Sequence, residues 1–297
     1  MNAREKGFLL LGSHLGDPGR KPLTPAQLRT LADRVRTMER PAEDRELEMK
    51  DLLALGYGRD MAGRILTLLS QEELLEYYLQ RGRQAGCVPL TRASEAYPAL
   101  LRRRLGADSP GCLWVRGNLS LLHTPSVALV GSRDLAEPNR AFAWAVGSHA
   151  ARQGLTLISG NARGADKTAQ EACLVNGGRV ISIVADGLVK HSPGENVLYV
   201  SEDGYSEAFS AQRAISRNRC IHAMGRMTFV AQARLGQGGT WDGTLKNLRS
   251  GWSSVACFRD GSEAAAELER LGAYLVGLED LQDLGSLPEE NESLFDR

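Results

Sequence analysis

The chain has 297 residues, with 36 basic and 36 acidic side chains and a formal net charge of zero. Hydrophobic residues make up 42% and charged residues 24%, ordinary proportions for a globular protein of one large or two modest domains. These figures exclude a surface coated in positive charge but not a local basic groove, because binding follows the local field. The five cysteines, Cys87, Cys112, Cys173, Cys220 and Cys257, are odd in number, widely spaced and without a CxxC pair. Neither a disulfide framework nor a zinc site is expected, and a reducing compartment fits. No apolar run approaches the roughly 20 residues of a membrane span, and MNAREKGFLLLGSHLGD lacks the form of a signal peptide. The expected location is the cytoplasm, away from membranes.

Residues 1–86 read as a helical N-terminal domain. In LTPAQLRTLADRVRTMER, Thr24 is a candidate N-cap and Pro25 a first helical residue, with Leu28, Leu31, Val35 and Met38 at helical spacing. ERPAEDRELEMK is charged and reads as a solvated connector. DLLALGYGRDMAGRILTLLSQEELLEYYLQRGRQAG reads as short helices broken at Gly56 and Gly58, with Ser70 as a cap. Residues 87–125, including YPALLRRRLGADSPGCLWVRGN, read as a link onto the next block. From Ser126 to residue 284 the texture changes. The strand-like runs VALVGS, LTLISG, RVISIVA, MTFVAQA and SSVACF alternate with helical stretches such as NRAFAWAVGSHAARQG, ADKTAQEACLVNG, EAFSAQRAISRNRCIHAMG and TLKNLRSG. That alternation predicts an α/β fold: a doubly wound, mostly parallel sheet with helices on both faces. Residues 285–297, ending PEENESLFDR, read as a flexible tail.

In such a sheet, ligands sit beyond the carboxyl ends of strands, and four loops there are unusual. In VGSRD, Gly131 and Ser132 turn the chain and Arg133 projects; it suits a phosphate or a nearby carboxylate such as Asp134. In LISGNARGAD, Ser159, Gly160, Asn161, Arg163 and Gly164 let backbone approach a ligand at a helix start, or simply make a tight strand–helix turn. Asp166 follows in the first helical turn. In VADGLVKHSPGEN, Lys190 and His191 face either the same cleft or solvent. In AISRNRCIHAMG, Arg213 and Arg217 share a helical face, Asn218 and Arg219 follow, and Gly238, Gly239 and Thr240 of GQGGT form a second anion-friendly helix start. A charged helix face and a flexible turn are the plainer reading. Between Val127 and Val255 there are 14 basic and 10 acidic residues, a modest excess that suits a groove. No catalytic set appears: His123, His149, His191 and His222 show no metal spacing, and Asp186, Glu202 and Asp242 are isolated acids.

Together VALVGSR, LISGNARGAD, GGRVISIVADGL, SPGEN and SRNRCI resemble the DNA-processing protein A (DprA/Smf) family, over roughly Tyr97 to Leu281. The resemblance implies a Rossmann-like nucleotide-binding core that holds single-stranded DNA without a cofactor, forms homodimers and delivers the strand to a RecA-type recombinase in natural transformation. It places the family's phosphate-contacting Arg on Arg133, its SGxARGxD loop on Ser159, Gly160, Ala162, Arg163, Gly164 and Asp166, and its RNR element on Arg217, Asn218 and Arg219. The sequence departs from the family pattern at Asn161, Gln170, Val189, Ser192 and Gly194, and in GQGGTWDGT. That loop is similar to the GGxGTxxE loop of related phosphoribohydrolases, but Gly243 stands where their Glu falls. The expected activity is binding rather than catalysis. The alternatives are a nucleotide sensor and a nucleotide N-glycosidic hydrolase using Asp242 or Glu202.

Overall fold

The computed structural model describes residues 1–38 and 46–284. The tail read at 285–297 and the first seven residues of the charged connector lie outside the described residues. Helix α1 (Ala3–Gly12) opens on a capping box between Asn2 and Glu5. Helix α2 (Pro25–Val35) starts as the sequence predicts, with the Thr24 side chain accepting from the Gln27 N–H and Pro25 at the first turn. Helices α3 (Met49–Ala54) and α4 (Arg59–Leu69) are separated at Gly56, whose φ is +81°, and Gly58 caps α4. Ser70 is a cap, as the sequence predicts, and it stands at the C-terminus of a helix. It closes α4, its hydroxyl donating to the Thr67 carbonyl at 3.1 Å, and Gln71 precedes α5 (Glu72–Gln84).

These helices bury two sets of side chains. Leu11, Leu28, Leu31, Leu52, Ile65 and Leu68 form a core of their own. Leu9, Leu10, Leu75 and Tyr78 instead pack against Trp114 and Tyr205 of the α/β region. Arg20, only 5% exposed, ties the set together. Its guanidinium donates to the carbonyls of Leu10, Ser13 and Leu68 at the ends of α1 and α4, and to Gln71. A cation suits those carbonyl ends, although burial draws its pKa down to about 10.

The remaining elements are β1 (Cys87–Thr91), α6 (Ala99–Leu105), β2 (Cys112–Gly117), β3 (Ser126–Val130), α7 (Glu137–Arg152), β4 (Thr156–Ser159), α8 (Ala165–Val175), β5 (Arg179–Ile183), β6 (Val197–Ser201), α9 (Ala211–Ser216), α10 (Asn218–Met224), β7 (Met227–Val230), α11 (Gly238–Ser250), β8 (Ser254–Phe258), α12 (Glu263–Arg270) and β9 (Tyr274–Val276). The nine strands of the described residues form one sheet in the order β1-β2-β6-β5-β4-β3-β7-β8-β9. Every neighbouring pair from β6 to β9 is parallel, whereas β1–β2 and β2–β6 are antiparallel. The doubly wound, mostly parallel sheet is therefore present. Residues 87–125 do more than link: they add two antiparallel strands to its edge.

Leu101, Ile221, Trp241 and Leu268 from α6, α10, α11 and α12 cover one face of the sheet. Phe142, Val146, Ala165 and Ala169 from α7 and α8 cover the other. A Cβ at Gly147 of α7 would collide with the Ala169 carbonyl of α8, so these two helices meet backbone to backbone. The helix expected across EAFSAQRAISRNRCIHAMG is broken at Arg217, which ends α9 and precedes α10.

Candidate nucleic-acid interface

From β3 the chain steps outward through β4, β5 and β6, then returns to the far side of β3 as β7. Strand order reverses between β3 and β7, where open parallel sheets hold ligands. A cleft of about 390 Å³ lies there. It is lined by Gly131–Asp134 after β3, Ala162 and Asp166 after β4, Ala214, Ile215, Arg217 and Asn218 from α9–α10, and Arg234 with Gln237–Thr240 after β7.

Small residues shape the cleft's floor. A Cβ at Gly131 would lie 2.5 Å from that of Ala165, so β3 can end against the start of α8 only with glycine there. Gly164 has φ +88°, and any side chain on it would strike the carbonyls of Ser132 and Arg133. The loops after β3 and β4 therefore touch, and the Ala165 N–H donates to the Ser132 carbonyl at 3.2 Å. A Cβ at Gly160 would overlap the guanidinium of Arg217.

Arg217 is 7% exposed and forms part of that floor. Its Nη2 donates to the Gly160 carbonyl at 2.9 Å and lies 3.8 Å from Asp166 Oδ2, while its Nε has no partner among the described residues. Asp166, 6% exposed, accepts from the Ala162 N–H at 3.1 Å. Burial raises the Asp166 pKa and lowers that of Arg217, each charge pulling the other back toward its ordinary value. Desolvation opposes both charges, so the pair depends on its hydrogen bonds.

Above this floor Arg133 is exposed and has no carboxylate partner among the described residues. Asp134, its candidate partner from the sequence, is taken by Arg163, whose Nη2 lies 2.7 Å away. Opposite stands the N-terminus of α11. Its N-cap residue, Gln237, makes no side-chain cap, Gly238 has φ +84°, and Gly239 and Thr240 complete the first turn. The Asn218 side chain donates to the Gly239 carbonyl at 3.1 Å, joining α10 to this turn. Free N–H groups at a helix start attract anions.

Other candidates lie elsewhere. Ser159 is buried and its hydroxyl donates to the Leu129 carbonyl. Asn161, at φ +59°, turns from the cleft and meets His191 at 3.5 Å. His191 contacts Asp186 at 2.9 Å and stacks on Tyr199. Lys190 is exposed beside it but does not line the cleft. Arg116 of β2 holds that loop by donating to the carbonyls of Leu188, Val189 and His191. Arg213 and Arg219 also point away, Arg213 to Asp203 and Glu207 and Arg219 to Glu202. Glu202 further accepts from the Cys220 thiol at 3.0 Å, and Asp242 is exposed on α11, so neither acid lines the cleft. Sequence reasoning passed over Arg234, exposed at the cleft's edge. The signal was present: Arg234 follows the end of β7 by nearly the offset at which Arg133 follows β3.

Comparison with known proteins agrees with this architecture. The family model described as DNA recombination-mediator protein A matches residues 89–276. The DNA processing protein DprA of Streptococcus pneumoniae is 31% identical over 182 residues, covering 57% of this chain and 64% of that protein. Protein Smf of Escherichia coli is 31% identical over 222 residues, covering 68% of this chain and 59% of its own. The chain thus spans about three fifths of the length of these relatives. Among solved structures, DNA processing protein A from S. pneumoniae superposes with a TM-score of 0.74 at 24% identity, over 95% of this chain and 98% of that one. DNA processing protein A from Helicobacter pylori, which binds single-stranded DNA, gives 0.55 at 22% identity over 66% and 92%. With a family model matching well over half of its length, the chain belongs to the DNA recombination-mediator protein A (DprA/Smf) family.

Proposed function

We propose that this chain binds single-stranded DNA through phosphates seated in the cleft between β3 and β7. One observation carries the reading: Arg133, exposed and without a carboxylate partner among the described residues, stands across the cleft from the uncapped N-terminus of α11, with Arg217 beneath. That arrangement suits anionic oxygens. Family membership and the strand-binding relative from H. pylori support the polymer as ligand. In this reading the protein works as a cytoplasmic homodimer and passes the strand to a RecA-type recombinase during natural transformation.

The cleft's volume is also that of a small-molecule site, which favours a mononucleotide as the second reading. Fluorescence anisotropy with a labelled single strand at low and raised salt tests both. Salt-sensitive binding, poorly displaced by duplex or mononucleotide, is expected. Absence of strand binding at low salt, with displacement or stabilisation by mononucleotide alone, would overturn the DNA reading. Recombinase delivery is checked by strand exchange on DNA covered with single-strand-binding protein, where this chain should accelerate the reaction.

A further inference from the structure

Outside the cleft, an exposed aromatic and a cation share one face of the N-terminal helical region. Tyr77 of α5 is 56% exposed. One turn on, the Arg81 guanidinium lies 5.8 Å from the Tyr77 ring centroid, and its Nη1 donates to the Tyr77 hydroxyl at 3.1 Å. Arg81 has no carboxylate partner among the described residues, and nearby Glu76 is held by Lys6 at 3.1 Å. Tyr77 contributes no core packing; its neighbour Tyr78 does that, stacked on Tyr205 at 4.3 Å.

A surface Tyr–Arg pair is ordinary helix decoration when it stands alone. This pair adjoins the loops that extend from the cleft. Gly82, the residue after Arg81, packs against the rings of Tyr205 and Trp114, and Arg81 is within electrostatic reach of the Tyr205 hydroxyl. The Tyr205 carbonyl accepts from the Val189 N–H at 3.1 Å, and the next residue is the exposed Lys190. Further along the same segment, Phe209 is 54% exposed just before α9, whose Ala214 and Ile215 line the cleft. Phe209 and Lys190 are thus exposed on the two segments that meet Tyr205, where the acids Asp203 and Glu207 are held by Arg213, and with Tyr77 and Arg81 they form a discontinuous run of rings and cations from α9 to α5. Glu73, one turn before Tyr77, limits the run to the C-terminal half of that helix.

We propose that the C-terminal half of α5 is a second contact for the single strand, with Tyr77 receiving a base face and Arg81 the neighbouring phosphate. Exposed aromatic faces accept any base, and an adjacent guanidinium adds both stacking and charge. The proposal rests on the cleft reading, and strand length separates the two. A short oligonucleotide fills the cleft alone; a long one also reaches α5.

The test measures anisotropy of labelled oligothymidylates of about 6 and about 25 nucleotides on the full chain, with Tyr77→Ala/Arg81→Ala and Tyr77→Phe as variants. The double variant should bind the long strand about tenfold more weakly and the short strand within about twofold of the parent. Tyr77→Phe, which keeps the ring, should bind both like the parent. Unchanged affinity of the double variant for the long strand, equal losses on both lengths, or a Tyr77→Phe loss as large as that of the double variant would each overturn the proposal. If the parent binds neither strand, the cleft reading fails first and this contact fails with it.

Discussion

Replacing Gly160 with alanine moves Arg217 without removing any charge. The three atoms nearest to the added Cβ all belong to the Arg217 guanidinium, so the backbone can stay while the arginine leaves. Arg217 would then lose its 2.9 Å hydrogen bond to the Gly160 carbonyl and its 3.8 Å approach to Asp166. A hydrogen bond from a charged group contributes about 1.5–3 kcal/mol. Leaving the Asp166 carboxylate without its cation adds to the cost, and rehydration of the freed guanidinium offsets part of it. The expected net loss is about 2–3 kcal/mol, read from urea unfolding. Single-strand affinity should fall about tenfold, the effect of losing one well-placed cation. Gly147→Ala is the control. There the added Cβ meets the Ala169 carbonyl, which belongs to a helix backbone and cannot swing aside, so stability should fall further. If Gly160→Ala unfolds within about 0.5 kcal/mol of the parent and binds DNA equally well, Arg217 does not organise the cleft.

Arg133→Ala should leave the urea midpoint unchanged while lowering single-strand affinity several-fold at low salt; the slope of log affinity against log salt should shrink by about one. An unaltered slope would place the phosphates elsewhere. His222 is fully buried, its Nε2 has no partner among the described residues, and burial lowers its pKa to about 3. The unfolded chain therefore takes up the proton first as pH falls below about 6.5, and stability is lost progressively from there toward pH 3. At pH 5 the cost is about 2 kcal/mol. His222→Gln should flatten this part of the urea profile, and an equally steep acid limb in the variant would refute the assignment. Arg20→Met removes the donor shared by the carbonyl ends of α1 and α4 and should cost about 2–4 kcal/mol in urea unfolding; a loss under about 0.5 kcal/mol would show that those carbonyls find other partners.

The central strands were legible because they are buried on both faces. VALV, TLIS, RVISI, MTFV and SVACF are short apolar runs between glycines and helical stretches, the pattern that burial demands. Strands β1, β2 and β6 escaped for separate reasons. β1 contains Pro89, which an edge strand tolerates but which argues against a central one. β2 follows a Ser-Pro-Gly turn within a segment read as a link. β6 follows β5 through a single 3₁₀ turn at Leu188–Lys190 rather than a full helix, so no alternation announced it. Missing β6 had a consequence at the site. Asp203 and Glu207, which hold Arg213, and Glu202, which holds Arg219, all follow directly from that strand. Without it, three neighbouring arginines looked alike, whereas only Arg217 among them lines the cleft. Arg133, Gly160, Gly164 and the start of α11 were readable because topology alone brings the ends of parallel strands to one edge.

The sheet's order also sets a timetable for synthesis. β3 pairs with β7 in the register Ala128 to Thr228, so the central strand's second neighbour emerges one hundred residues after it. At bacterial elongation rates of about 5–20 residues per second, β3 waits roughly 5–20 s with that edge unpaired. The inner core of the helical region can already be formed by then, since Leu11, Leu52 and Ile65 pack within residues 11–69. The cleft cannot, because its far wall is α11. A ribosome stalled before residue 230 would hold a chain with that inner core, an open apolar edge and no binding site, a state prone to strand-to-strand aggregation.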